Sequence, residues 1–105
     1  MRYETFRKRL TDAVINTTGE TPAVLRQTVL DHAQGQRDGV PSALYAYVDT
    51  VARHAYRVTD GDVQALQRAG YSDDALFEIT VAAAVGAALQ RLDRGLAALR
   101  GAEPD

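Results

Sequence analysis

Apolar positions along this chain recur at intervals of three and four, the mark of helices that bury one face, and no convincing strand pattern competes with them. Tyr3, Phe6, Leu10, Ala13 and Val14 form the first such stripe, with Arg2, Glu4, Arg9 and Asp12 filling the other side. Asn16-Thr17-Thr18-Gly19 breaks that helix. Thr21-Pro22 then opens a second one, with a hydroxyl at the N-cap and a proline where a missing N–H costs nothing. Its stripe is Leu25, Val29 and Ala33, and Gly35 is its stop. Gly35 to Pro41 reads as a polar loop bracketed by glycines and as the segment expected to move most.

A third helix is predicted from Ser42 to Arg57, with Leu44, Val48, Val51 and Ala55 on its stripe and Tyr47 and His54 on the flank. Thr59-Asp60-Gly61-Asp62 fits a helix-start signal in which a threonine oxygen takes an orphan N–H and acids face the positive end of the dipole. The short fourth helix, Val63 to Ala69, should end at Gly70. Ser72, with Asp73 and Asp74 behind it, caps a fifth segment that meets no proline until Pro104. The reading is an all-α bundle of about five helices with a long C-terminal helix, in a single domain over residues 1–105.

As one helix, Asp73 to Arg100 would reach about 42 Å. A compact chain of this length is roughly 33 Å across, so the helix must bend or protrude. Its centre, Val81 to Leu89, is apolar on all sides, as in a helix surrounded by protein. Ala82/Gly86, Ala83/Ala87 and Ala84/Ala88 are small pairs one turn apart that let backbones approach. Four other helices, one of them short, cover such a segment with difficulty. A homo-oligomer with residues 72–100 at its interface is therefore expected.

The composition narrows the chemistry. The chain has 105 residues, 46% apolar and 25% charged, enough for one core. It has no cysteine, which removes disulfides, thiolate metal sites and thiol redox reactions. The first residues mix charge with apolar side chains, unlike a signal peptide, and Ile79 to Leu89 is about half a membrane span. A cytoplasmic protein with no membrane partner is expected. Net charge is −2, with 8 basic against 6 acidic residues over 1–58 and 4 against 8 over 59–105. Arg2, Arg7, Lys8 and Arg9 are interrupted by Glu4 and Asp12, so no sustained basic stripe points to nucleic acid.

The stretch Val58 to Glu78, VTDGDVQALQRAGYSDDALFE, resembles the C-terminal half of AhpD-like proteins of the carboxymuconolactone decarboxylase superfamily. In that group an acid-capped short helix ends at Ala-Gly, a Ser-Asp turn follows, and an alanine-rich helix begins with an inward glutamate. Ile79 to Leu99 keeps that character, and Arg91 falls where peroxidase-related relatives often carry Asn-Arg. The resemblance implies an all-α fold that assembles into trimers or larger rings. In its best-known branch it implies a thiol peroxidase with a Cys-x-x-Cys pair served by a glutamate and a histidine. That pair is missing here, and a thiol peroxidase needs a thiolate. Ala87 and Ala88 also depart from the bulkier Phe and Asn of peroxidase-related members. The decarboxylase branch uses acid–base chemistry without the pair.

His54 is the first candidate for such chemistry, a histidine able to shuttle protons near neutral pH. It lies on the helix before the acidic cap, as the family's histidine does; the plainer alternative is a boundary histidine bonded to a carbonyl or water. Glu78 enters an increasingly apolar helix, where burial without a partner would raise its pKa and suit it to acid–base work. An ion pair with Arg53, Arg57 or Arg91 is the structural alternative. His32 has no second histidine at metal-ligand spacing and reads as a surface or boundary residue. Asp60-Gly61-Asp62 lacks the later ligands of a calcium loop. Tyr45, Tyr47 and Tyr56 on helix three suit a core or interface. No nucleotide, zinc-hydrolase or other cofactor motif is present. The expected function is that of an oligomeric binding or accessory protein without thiol peroxidase activity. A domain partnering a cysteine-containing paralogue, and a decarboxylase-like enzyme using His54 and Glu78, are the rivals.

Overall fold

The computed structural model describes residues 2–35 and 39–102, so part of the loop read over Gly35 to Pro41 lies outside the described residues. Among the described residues five α-helices follow one another: α1 (Arg2–Ile15), α2 (Ala23–Ala33), α3 (Ser42–His54), α4 (Asp60–Arg68) and α5 (Asp73–Ala102). No strand occurs among the described residues. The molecule is an all-α bundle in which every other helix packs on α5.

Two of the predicted caps are realised. Thr59 Oγ1 accepts from the Asp62 N–H at 3.2 Å while Asp62 Oδ2 accepts from the Thr59 N–H at 2.9 Å, a reciprocal capping box that starts α4. Ser72 Oγ accepts from the Ala75 N–H at 3.1 Å and starts α5. Between them Gly70 turns the chain at φ +106°, a conformation that costs glycine little. Three other boundaries differ from the reading, the first being α4, which begins at Asp60 directly after its Thr59 cap rather than at Val63. Pro22, not Thr21, is the N-cap of α2, because the Thr21 hydroxyl is drawn away to Glu78. Helix α3 stops at His54, whose φ of −144° and ψ of 56° leave the helix, and Ala55–Arg57 form a 3₁₀ turn. Ala55 and Tyr56 are therefore exposed, and the buried side of α3 is Leu44, Val48 and Ala52.

Helix α5 has 30 residues, about 45 Å of helix, and sets the long dimension of a molecule measuring 54 × 29 × 21 Å. It protrudes: α1 runs back along its distal half, where Arg7 meets Asp93, and most side chains from Arg91 onward are exposed. Leu76, Ile79, Ala82, Ala83, Ala87 and Leu89 are buried against α2, α3 and their neighbours. The all-round coverage suggested by the Val81–Leu89 pattern is not what this chain provides, since Ala84 and Ala88 are exposed and Val81 and Val85 half-buried. By length and composition Asp73–Gly101 is also long and apolar enough to cross a membrane, more than Ile79 to Leu89 alone suggests; 44% of its most apolar window is buried inside the bundle.

The tightest packing joins α2 to α5. A Cβ added at Gly86 would run into the Leu30 carbonyl oxygen and come within 2.8 Å of Ala33 Cβ. Only glycine permits that backbone approach, which accounts for a residue that otherwise weakens a helix interior.

Candidate functional site

Glu78 lies one turn inside α5, beside the segment that leads into α2. Its carboxylate rests over Gly19, where an added Cβ would lie 2.6–2.7 Å from the carboxylate atoms. Oε2 accepts from the Glu20 N–H at 2.7 Å, and Oε1 accepts from the Thr21 N–H at 2.9 Å and the Thr21 hydroxyl at 2.6 Å. The Thr21 hydroxyl, two backbone N–H groups and the nearby Arg26 cation hold the Glu78 carboxyl below the usual range, overcoming partial burial. This is the opposite of the raised pKa that unpartnered burial would give. The partners are also not the arginines the sequence suggested. Glu78 is an ionised strap fastening the start of α2 to α5.

Arg26 completes this corner from inside the bundle. It is buried; Nη1 donates to the Val14 carbonyl at 2.7 Å and to Thr17 Oγ1 at 3.2 Å, and Nη2 donates to the Thr17 carbonyl at 2.7 Å. A cation on the last carbonyls of a helix satisfies orphan acceptors and complements the dipole, so Arg26 closes the C-terminal end of α1. Its Nε is buried without a protein acceptor. Arg26, Glu78, Phe77 and Val81 line a cleft of about 140 Å³ beside α1. Small-molecule sites usually enclose about 300–1,000 Å³, so this volume suits a few waters rather than an organic substrate. A second cleft, about 200 Å³ between α3 and α4, is lined by Tyr47, Thr50, Asp62 and Leu66. Asp62 is committed there to the α4 cap, and the Tyr47 hydroxyl bonds Thr80 Oγ1 at 2.6 Å.

His54 is elsewhere. It is exposed at the end of α3, its ring edge-on to Tyr56 with centroids 6.0 Å apart, and the Arg57 guanidinium lies 5.6 Å from the Tyr56 centroid. Among the described residues no hydrogen bond joins His54 to Glu78, whose bonds go to Glu20 and Thr21 before α2. His32 is buried rather than superficial, with Nε2 3.7 Å from Asp49 Oδ1 and its ring edge-on to Tyr45 at 4.9 Å. Among the described residues no group of three or more His, Asp or Glu side chains is placed to hold a metal ion.

The sequence reading singled out Glu78 but not its cradle. In the sequence Gly19 reads as a helix breaker and Thr21 as a cap, and Arg26 lies outside the Leu25, Val29 and Ala33 stripe with no local sign that its charge turns inward. The one available signal was a glycine followed two residues later by a threonine, ahead of a proline.

No known family model, curated protein or solved structure matches this chain. The fold and the corner around Glu78 define a class by architecture: an all-α bundle built on one long helix, one side of which the chain leaves open.

Proposed function

We propose that this protein is a cysteine-less relative of the AhpD-like proteins, an oligomeric binding or accessory protein without thiol peroxidase activity that associates through the helix at residues 72–100. One observation carries the reading. The open side of α5 next to α1 is apolar over three turns, with Phe77 69% exposed, Ala84 and Ala88 exposed, and Val81 half-buried at its edge where it packs against the core. An aromatic ring left in water beside a row of small residues supports an association surface here. The cysteine-free composition supports the second half of the proposal, because a dithiol cycle has no sulfur to run on. The acid–base alternative has less support: Glu78 has an ionised carboxylate with both oxygens engaged, while His54 meets Tyr56 at the exposed end of α3.

Light scattering on the eluting peak of a gel-filtration column tests the assembly. Species larger than 11.4 kDa are expected at micromolar concentration, and a monomer throughout would overturn it. Peroxide consumption with a dithiol reductant should not exceed that of buffer. Turnover above buffer would overturn the activity half.

A further inference from the structure

The order of side chains along the open face of α5 selects both a partner and a direction. Asp73, Phe77, Val81, Ala84, Ala88, Arg91 and Gly95 follow one another at spacings of three and four and so share one face. All are exposed except half-buried Val81. Along the helix the face runs from acid through bulky apolar to small apolar and then to base. Asp73 accepts from Gln67 Nε2 at 2.6 Å, which fixes the acid at its end.

We infer that two copies of this chain pair through this face with their α5 helices antiparallel, about a two-fold axis that runs between the two helices beside Val81 and Ala84, level with the peptide joining Ala82 to Ala83. The inference rests on the self-association proposed above and adds its geometry. With one helix turned end for end, Phe77 of each copy lies over Ala88 of the other, and Val81 lies against Ala84. Asp73 and its neighbour Asp74 then face Arg91 of the other copy. Large residues meet small ones and acids meet a base, twice over, as an isologous two-fold contact demands. A parallel pairing would set Phe77 on Phe77, leave Ala88 facing Ala88, and bring Asp73 onto Asp73 and Arg91 onto Arg91. The self-complementary order of charge and size names a second copy as occupant; an unrelated partner would not require it. With Ala88 opposite Phe77 and Ala84 opposite Val81, the axes can approach within the ordinary helix-packing range of about 8–10 Å.

Because the chain has no cysteine, a single introduced thiol reports its own position. Ala84→Cys places a thiol near the axis, where the two copies differ by about 4.5 Å along the helix. Gly95→Cys lies on the same face, but the two thiols of an antiparallel pair would be separated by about 38 Å. A short bismaleimide should link Ala84→Cys into a covalent dimer and leave Gly95→Cys unlinked. Equal linking of both variants would establish a parallel pair and overturn the inference. Linking of neither variant, in protein that light scattering shows to be dimeric, would move the interface off this face and overturn it while leaving self-association intact. A monomer in solution would overturn both. Arg91→Glu, which brings acid against acid, should weaken the dimer about tenfold at low salt and less at 1 M salt, with helicity by circular dichroism unchanged. An unaltered dimerisation constant would count against the charge register.

Discussion

The two sides of α5 are built from nearly the same residues and have opposite fates. Toward the bundle Leu76, Ile79, Ala82, Ala83 and Ala87 are buried, whereas Phe77, Ala84 and Ala88 on the other side are exposed. Alanine content does not separate them. What separates them is where backbone can come close: at Gly86 the Leu30 carbonyl presses on the inner side, and at Glu78 a carboxylate ties the segment before α2 to the same side. A helix that is apolar all round need not be enclosed by its own chain. The side that receives the glycine contact becomes core, and the opposite side stays exposed.

The largest expected effect separates the two sides directly. Ile79 is fully buried, and Ile79→Ala should cost about 2–5 kcal/mol through lost burial and a residual cavity. Two residues earlier, Phe77→Ala at concentrations that keep the chain monomeric should change stability by no more than about 0.5 kcal/mol. Urea unfolding of the two variants checks this. Equal losses would mean that the outer side is covered within one chain.

The glycines of the same helix carry the comparison to backbone scale. Gly86→Ala gains about 1 kcal/mol of helix propensity but forces a methyl against the Leu30 carbonyl and Ala33, and overpacking of this kind costs about 1–3 kcal/mol. A net loss is expected, since neither obstacle is a flexible side chain. At Gly95 an added Cβ meets nothing within 4 Å, so Gly95→Ala should stabilise by up to about 1 kcal/mol. Thermal unfolding should shift in opposite directions for the two variants, and a shared direction would remove the claim that α2 seats on Gly86.

Much of this architecture was legible from local signals. The caps at Thr59 and Ser72, the stop at Gly70 and the long fifth helix rest on short-range chemistry that a sequence displays. The start of α2 moved through a distant partner, Thr21 giving its hydroxyl to Glu78, 57 residues away, whereas α3 ended at His54 although its apolar spacing continues to Ala55. The candidate site was legible only as a residue. That Glu78 enters an apolar helix is visible in the sequence; that Gly19, Glu20 and Thr21 wrap its carboxylate depends on the docking of α2, and no periodicity carries that information. The inward turn of Arg26 onto the end of α1 was hidden for the same reason.

Glu78→Gln tests whether the inner side is held by charge as well as by packing. The amide retains the shape but loses the ionised acceptor, and hydrogen bonds to charged groups contribute about 1.5–3 kcal/mol. A loss near the lower end is expected, because the side chain is only partly buried. The Glu78 pKa is lowered in the folded protein, so the carboxylate's contribution is complete above the unfolded value of about 4.3. It fades as pH falls through the folded value. The stability gap between the natural chain and Glu78→Gln should therefore be constant near neutrality and close under acidic conditions. A gap that widens on acidification would mean that Glu78 carries a proton in the fold.

The smallest effect belongs to the distal end, where α5 leaves the core and only α1 accompanies it. Arg7 grips Asp93 with two bonds, Nε to Oδ1 at 3.1 Å and Nη2 to Oδ2 at 2.9 Å, and the arginine holds the Asp93 carboxyl below its usual range. A two-pronged arginine–carboxylate contact is the favourable geometry for an ion pair, but the side chains are 35% and 45% exposed, and exposed pairs contribute about 0–1 kcal/mol. Arg7→Ala should therefore cost less than about 1 kcal/mol at low salt and almost nothing at 1 M, where the screening length is about 3 Å. Unfolding of Arg7→Ala at the two salt concentrations distinguishes a screened surface grip from a structural one. A loss above 2 kcal/mol that salt leaves unchanged would show that α1 is part of the core along its whole length, and the open end of α5 would begin further out than Arg91.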